Sequence, residues 1–114
     1  MQTTLTGPLG SGVANLALDT GAIMTVVSNS VLLDMGYDPF AASEQVEVTT
    51  GSGVVVVPQI EISRIEALGQ EQQNFLILCH SFPPSATVNG VLGLDFLRDK
   101  RLVLDFRTGI LTLD

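Results

Sequence analysis

The chain of 114 residues has little cysteine, few basic residues and no long apolar runs. Its single cysteine, Cys79, excludes an internal disulfide and a zinc site built from several cysteines. Five lysines and arginines stand against twelve acidic residues, and the net charge of −7 argues against nucleic acid, which needs a basic face. No apolar run approaches the ~18 residues of a membrane span, and the N-terminus shows no secretory pattern. We therefore expect no membrane contact within this chain and a cytoplasmic location.

Apolar residues are abundant, at 46% of the chain, whereas charged residues make up only 15%. A chain of this length is expected to form one domain, residues 1–114, that buries roughly two-thirds of its unfolded surface. Oligomerisation is one way to cover the apolar surface that remains. The basic residues are unevenly distributed, and we interpret the largest group as a solvated rim, with a partner-facing patch as the lesser alternative. That group holds four of the five within ten positions: Arg98, Lys100, Arg101 and Arg107.

Apolar residues recur mostly at every second position, which predicts an all-β protein. A short helix is expected over residues 30–35, capped by Ser28 or Asn29 and ended by Gly36 in a left-handed conformation. The continuous apolar segment 75–79 predicts a strand buried on both faces. Further strands are predicted at 13–18, 25–27 and 91–94, a helical turn at 95–98, and a C-terminal hairpin from 102–106 and 110–113.

A hairpin with a glycine-rich tip is predicted near the middle of the chain. Residues 45–49 alternate between apolar and polar, and a return strand begins at Val54 and continues through Ile65. Pro58 is expected to bulge the return strand or to lie on an edge, because proline has no amide hydrogen to donate. The tip consists of Thr50, Gly51, Ser52 and Gly53.

Residues 18–22 have the sequence Leu-Asp-Thr-Gly-Ala, which occurs once. Asp and Gly are common in ordinary turns, but here Asp19 directly follows an alternating strand. Peptide hydrolysis without a metal or a covalent nucleophile needs one carboxylate as base towards a water. It also needs a second, protonated carboxylate that hydrogen-bonds the substrate carbonyl. The small Gly21 and Ala22 allow two such carboxylates to approach, and the Thr20 hydroxyl can bond the backbone of a second chain. One motif per chain therefore predicts that the second Asp19 comes from a second chain.

A second motif, Val-Leu-Gly-Leu-Asp-Phe-Leu, occupies residues 91–97. Two apolar residues before Gly93 suit a strand that passes beneath the Asp19 turn, where glycine permits a close approach. Leu92 and Gly93 are therefore predicted to support the turn structurally. Asp95 is expected to cap the short helix that follows rather than to react.

With these motifs in this order, the chain resembles the retropepsins, the single-lobe aspartic proteases of retroviruses and their cellular relatives. It looks most like the retroviral-protease-like domain of the DNA-damage-inducible ubiquitin-shuttle proteins and similar bacterial domains. The resemblance also covers segments 102–106 and 110–113. It implies a closed barrel with a flap hairpin and one or two short helices. It also implies a homodimer in which strands from residues 2–5 and 110–113 of both chains interleave.

The resemblance implies roles for individual residues. Asp19 would be the catalytic residue, with Thr20, Gly21 and Ala22 in the active-site turn. The hairpin tip 50–53 would be the flap that closes over bound peptide, although an ordinary hairpin is the alternative. The resemblance implies no cofactor and no metal.

Two features depart from the retroviral pattern. Retroviral enzymes carry an Asp directly after the Ala of the turn and an Arg directly after the Gly of the second motif, and the two side chains pair. Here these positions are Ile23 and Leu94. The joint loss leaves no unpaired buried charge and matches the cellular relatives. The helix over 30–35 is longer than the retroviral one and is expected to reshape the cleft.

The sequence thus predicts a homodimeric aspartic endopeptidase that hydrolyses extended polypeptides with two Asp19 carboxylates. One alternative is a weak or silent module of the same fold that dimerises or binds peptide, and another is a protease that processes its own precursor. The intact Asp19 favours an enzyme. Cys79 and His80 are neighbours on a predicted strand, so they point to opposite faces and cannot form a nucleophile–base pair.

Overall fold

A computed structural model describes residues 1–114, with the exception of the Thr50 side chain. Strands account for 54% of the chain and helices for 12%. The strands are β1 (Gln2–Gly7), β2 (Gly10–Leu18), β3 (Val26–Ser28), β4 (Glu44–Thr50), β5 (Gly53–Ala67), β6 (Gln70–His80), β7 (Gly90–Leu92), β8 (Leu102–Asp105) and β9 (Ile110–Leu113). The helical segments are α1 (Asn29–Asp34), α2 (Leu94–Leu97) and a 3₁₀ turn at Pro39–Ala41.

Six of the strands close into a mixed barrel, as the resemblance to the retropepsins implied. Their order is β1-β2-β7-β3-β6-β5, and the pairing of β1 with β5 completes the ring. The β2–β7 and β3–β6 pairs are parallel, and the other pairs are antiparallel. Strand β4 extends the sheet beyond β5, and β8 and β9 form a separate two-stranded sheet.

The barrel interior is filled by the inward residues of alternating strands, which is the pattern that predicted a β protein. Its fully buried members include Leu5, Leu16, Ile62 and Ile77. Helix α2 closes one side of the core, because Phe96 is fully buried and its ring packs edge-on against the ring of Phe75 at 6.0 Å. Helix α2 thereby fixes the end of β7 against the core.

The middle hairpin and the first helix match their sequence predictions closely. Strands β4 and β5 pair in register from Glu44↔Gln59 to Thr50↔Gly53. Pro58 causes no bulge; it lies one residue beyond the ladder between β5 and β6, which ends at Gln59. Gly36 follows α1 with a φ of 94°, the left-handed conformation expected of it. Ser28 occupies the N-cap position of α1, although its side chain makes no capping hydrogen bond.

The strand at 75–79 is not buried on both faces, which corrects a sequence prediction. Phe75, Ile77, Leu78 and Cys79 are buried, but Leu76 is 47% exposed. The strand is also longer than its apolar stretch, because the polar residues from Gln70 onward belong to the same β6. An apolar run alone could not show that one side of β6 is left uncovered.

Strand β1 takes part in closing the barrel of the single chain, and the interleaving that the resemblance implied for residues 2–5 stays a prediction. It pairs with β2 from Gln2 to Gly7 and, on its other edge, with β5 at Thr4–Thr6. Where both edges are paired, at Thr4–Thr6, the strand cannot add to the sheet of a second chain. Thr4 and Leu5 therefore serve barrel closure, whereas, among the described strands, Gln2 and Thr3 pair with β2 alone.

Cys79 and His80 lie as the sequence predicts. Cys79 is buried, and burial raises the pKa of its thiol to about 11. His80 is exposed and packs edge-on against Phe82 at 5.6 Å. None of the helices that the structure describes has the length and apolar character needed to cross a membrane.

Candidate functional site

Asp19 lies directly after β2, at the start of a tight loop that ends where β3 begins. The Gly21 amide donates to Asp19 Oδ1 at 2.9 Å, and the Ala22 amide donates to the Asp19 carbonyl at 3.2 Å. These bonds fix the loop as an Asx-type turn and orient the carboxylate. Asp19, Thr20 and Gly21 are all exposed, so the carboxylate is presented at the surface of the single chain.

The loop is joined to the second sequence motif along its whole length. The Asp19 amide donates to the carbonyl of Leu92 at 3.0 Å. Further along, the Leu94 amide donates to the Ala22 carbonyl at 2.8 Å, and the Asp95 amide donates to the Ile23 carbonyl at 3.2 Å. The two motifs that the sequence singled out are therefore brought together, as predicted.

Gly93 lies at the closest point of this contact. A Cβ atom at this position would stand 2.8 Å from the Ala22 carbonyl oxygen and 2.9 Å from the Met24 carbonyl carbon. Both neighbours are backbone atoms, which cannot move aside as the tip of a side chain can. The absence of a side chain at Gly93 is therefore what allows the loop to rest on the end of β7.

Thr25 and Asp95 connect the far end of the loop to α2, a feature that sequence reasoning missed. The Asp95 carboxylate accepts from the Thr25 amide and from the Thr25 hydroxyl, both at 2.8 Å. The Gly93 amide donates in turn to the Thr25 hydroxyl oxygen at 3.1 Å. Thr25 is fully buried, so these bonds form away from bulk water.

The predicted capping role of Asp95 is wrong in its details. The N-cap of α2 is Gly93, while Asp95 lies in the first turn and bonds only its neighbour's amide, that of Phe96, within the helix. Its carboxylate is directed instead at Thr25. A side-chain hydrogen bond between residues 70 positions apart could not be inferred from local helix signals. The only sequence signals for it are Asp95 in the second motif and Thr25 shortly after the first.

The β4–β5 hairpin faces strands that flank the loop. An apolar cavity of about 230 Å³ lies between them. Val48, Val55 and Val57 line it from the hairpin, and Val26 and Val91 line it from β3 and β7. Because Val91 precedes Leu92, which bonds the Asp19 amide, the cavity lies close to the Asp19 loop.

The predicted hairpin tip is only partly described. Gly51 and Ser52 form the turn, and Gly53 begins β5 with a φ of 122°. These three residues are exposed, whereas the side chain of Thr50 lies outside the described part of the structure. The arms of the hairpin, rather than its tip, form the wall of the cavity.

The two positions that depart from the retroviral pattern are both on the surface. Ile23 is 73% exposed and Leu94 is 41% exposed. In the part of the chain that the structure describes, no three His, Cys, Asp or Glu side chains gather as a metal site would require.

Comparisons with known proteins agree with this architecture. A family model described as "gag-polyprotein putative aspartyl protease" matches residues 10–99. The fold is similar to a crystal structure of a retropepsin-like aspartic protease from Rickettsia conorii. The TM-score is 0.66 at 16% sequence identity, over 100% of this chain and 88% of that chain. At this identity the likeness concerns the fold alone. No curated protein sequence matches the chain.

Replacing Gly93 with alanine tests the close approach beneath the loop. We expect Gly93→Ala to lower the free energy of unfolding by about 2 kcal/mol, because the new methyl group overlaps backbone atoms. Gly51→Ala is the matched control, since nothing lies within 4 Å of a Cβ there, and should change stability by less than about 0.5 kcal/mol. Urea denaturation measures both, and equal effects would contradict the assignment of Gly93.

Replacing Thr25 with valine tests the link to Asp95. We expect Thr25→Val to cost about 2 kcal/mol of unfolding free energy, because the Gly93 amide and one Asp95 oxygen lose a buried partner. Thr25→Ser keeps the hydroxyl and should retain most of that stability. If both variants unfold at the same urea concentration, the hydroxyl makes no specific contribution and the proposed link is contradicted.

Proposed function

Because this chain belongs to the gag-polyprotein aspartyl protease family, we propose that two copies assemble into one aspartic endopeptidase acting on extended polypeptides. The observation that carries this proposal is the Asp19 carboxylate, held by the Gly21 amide on a rigid loop and exposed at the surface of the chain. A twofold axis beside this loop would bring a second Asp19 to face it.

The proposed mechanism uses the two carboxylates in different protonation states. Two carboxylates about 3 Å apart cannot both ionise at low cost, so the pair holds one proton. The ionised member takes a proton from a water, which attacks the peptide carbonyl carbon. The protonated member donates its hydrogen to the carbonyl oxygen, giving a tetrahedral intermediate. The carboxyl group that is now protonated gives its proton to the amide nitrogen, while the other carboxylate takes a proton from a hydroxyl of the intermediate. The C–N bond breaks as the C=O bond re-forms, an amine and a carboxylic acid are released, and the pair again holds one proton.

The loop geometry supports this chemistry in each half-site. The Gly21 amide holds Asp19 Oδ1, and no described residue contacts Oδ2 closely enough to hydrogen-bond it. One carboxylate oxygen is thus fixed and the other is available to water or substrate. The bonds from Leu92, Leu94 and Asp95 to the loop pre-organise the carboxylate, which is the state electrostatic catalysis requires.

The β4–β5 hairpin is proposed as the flap, with Thr50, Gly51, Ser52 and Gly53 at its tip. Its arms share the apolar cavity with β3 and β7, and a cavity of about 230 Å³ is suited to one apolar side chain of a substrate. A peptide bound in extended form would place alternate side chains in such pockets while its backbone pairs with the hairpin. Glycine at the tip suits a lid that opens and closes.

The C-terminal hairpin of β8 and β9 is proposed as the main dimer contact. Leu102 and Leu104 of β8 lie on one face of the hairpin. Their cross-strand partners in β9, Leu113 and Leu111, lie on the same face. The base of this face is packed in the core, where Leu113 is buried, but Leu104 is 47% exposed. Phe106, at the hairpin turn, is 92% exposed. The apolar face therefore continues beyond the barrel that covers its base.

In the part of the chain that the structure describes, the edges of this hairpin have no strand beside them, although the Leu113 carbonyl accepts a hydrogen bond from the Gln70 side chain at 3.2 Å. Among the described residues, β8 and β9 pair only with each other, and an isolated two-stranded sheet is of marginal stability in water. A hairpin from a second copy would cover the leucine face and pair with a free edge. Because β1 is already paired on both sides at Thr4–Thr6, the proposed interface depends mainly on this hairpin.

The central test of the activity is a cleavage assay with Asp19→Asn. We expect the native chain to cleave a peptide library between about pH 4 and pH 7, and Asp19→Asn to lower the rate by roughly 10³ or more. The substitution keeps the size of the side chain but removes the shared-proton pair. Asp34→Asn removes one exposed carboxylate from α1 and should leave the rate unchanged. Cleavage that survives in Asp19→Asn would exclude this mechanism, and peptide binding without any turnover would favour a silent binding module.

Sedimentation velocity tests the proposed interface. Leu104→Asp should weaken dimerisation by about tenfold or more, because it places a charge in the centre of an apolar contact. Leu33→Asp is the matched control, since Leu33 is 46% exposed on α1, away from the hairpin. Both variants should remain folded. A native chain that stays monomeric, or equal dimerisation of the two variants, would contradict the proposed interface.

A further inference from the structure

A second groove, of about 460 Å³, lies beside β6. Five consecutive strand residues, 72–76, contribute to its lining. Successive side chains of a strand point to opposite faces of the sheet, so a groove on one face would be lined by every second residue. Lining by consecutive residues places this groove along the edge of β6.

This edge has no strand beside it. Strand β6 pairs with β5 from Gln70 to Leu78, whereas β3 joins its opposite edge only at Leu78–His80. From residue 70 to 77, the described chain supplies no strand to that second edge. An unpaired strand edge accepts an extended chain through backbone hydrogen bonds. The backbone is irregular at Asn74, with a φ of 53°, and there the amide side chains of Gln73 and Asn74 offer further hydrogen-bonding groups.

The remaining lining defines the chemistry of the occupant. Ile23 and Leu76 provide exposed apolar surface. Arg98 is exposed and forms no ion pair with any described residue, so its charge is available to a ligand. Asp95 also lines the groove, but both of its carboxylate oxygens accept hydrogen bonds from Thr25, and no ion pair joins it to Arg98 among the described residues. The groove therefore suits an apolar side chain beside an acidic one.

The groove begins where the Asp19 loop ends. Ile23 and Met24 line it and directly follow Ala22 of that loop. A polypeptide whose scissile bond lies at Asp19 can therefore continue into the groove. Ile23, which stands where retroviral enzymes carry an Asp, is therefore part of the groove surface.

We propose that the groove binds a segment of the substrate polypeptide distant from the scissile bond. The segment lies extended along the free edge of β6, with an acidic side chain against Arg98 and an apolar side chain on Ile23 and Leu76. That the occupant is substrate rests on the proposed function, whereas the preference for an acidic and apolar segment rests on the groove alone.

Binding to the Asp19→Asn chain tests this without cleavage of the probe. The probe is a fluorescein-labelled peptide of alternating valine and glutamate, and the matched probe alternates valine and lysine. We expect fluorescence anisotropy to show about fivefold tighter binding of the glutamate peptide, as expected for an exposed charge pair, and a smaller difference in high salt. Arg98→Glu should reverse the preference, whereas Arg107→Glu, an exposed cation outside the groove, should leave it unchanged. Backbone N-methylation of the glutamate peptide should abolish binding to the edge.

Several outcomes would overturn the proposal: equal binding of the two peptides, no binding of either, or the same change in Arg107→Glu as in Arg98→Glu. The result is separable from the proposed function. If the native chain cleaves nothing but Arg98→Glu still reverses the preference, the peptidase proposal fails and the groove remains a polypeptide-binding site. If cleavage depends on Asp19 but the preference does not change in Arg98→Glu, the groove proposal alone fails.

Discussion

The contact of the Asp19 loop with residues 92–95 is the constraint on which the rest of the site depends. The loop leaves β2 and returns to β3, and between them it rests on backbone atoms at Gly93 with no room for a side chain. Hydrogen bonds from Asp19 to Leu92 at one end and from Thr25 to Asp95 at the other hold it there. Strand β7 itself is held between β2 and β3, so the barrel determines the position of the carboxylate.

This rigidity gives the single chain an ordered carboxylate, which in the proposed dimer forms one half of the site. The carboxylate is oriented by Gly21 and exposed, while the single chain has no second carboxylate bonded to it. Closing the barrel with β1 occupies both edges of this strand at Thr4–Thr6. In the proposed dimer, assembly therefore depends mainly on the β8–β9 hairpin, whose leucine face is covered only at its base.

The sequence predicted the parts of the molecule that depend on local patterns with few physical alternatives. Asp19, Gly21, Leu92 and Gly93 belong to short motifs in which an acid or a missing side chain has a specific use. The β4–β5 hairpin follows from alternation around a glycine-rich turn. What could not be predicted depends on pairing between distant segments. One example is the face of β6 that is left uncovered at Leu76. Another is the Asp95 carboxylate, which binds Thr25 instead of capping a helix. Neither feature can be inferred from composition or from the periodicity of apolar residues.

The central claim is that one active site needs an Asp19 from each of two chains, and mixed dimers test it most directly. Native and Asp19→Asn chains would be unfolded together in urea, refolded at constant total concentration and assayed for peptide cleavage at several mixing ratios. If both carboxylates are required, the rate follows the square of the native fraction and falls to roughly one quarter in an equal mixture. A rate that falls in proportion to the native fraction would show that each chain acts alone, and would contradict the account.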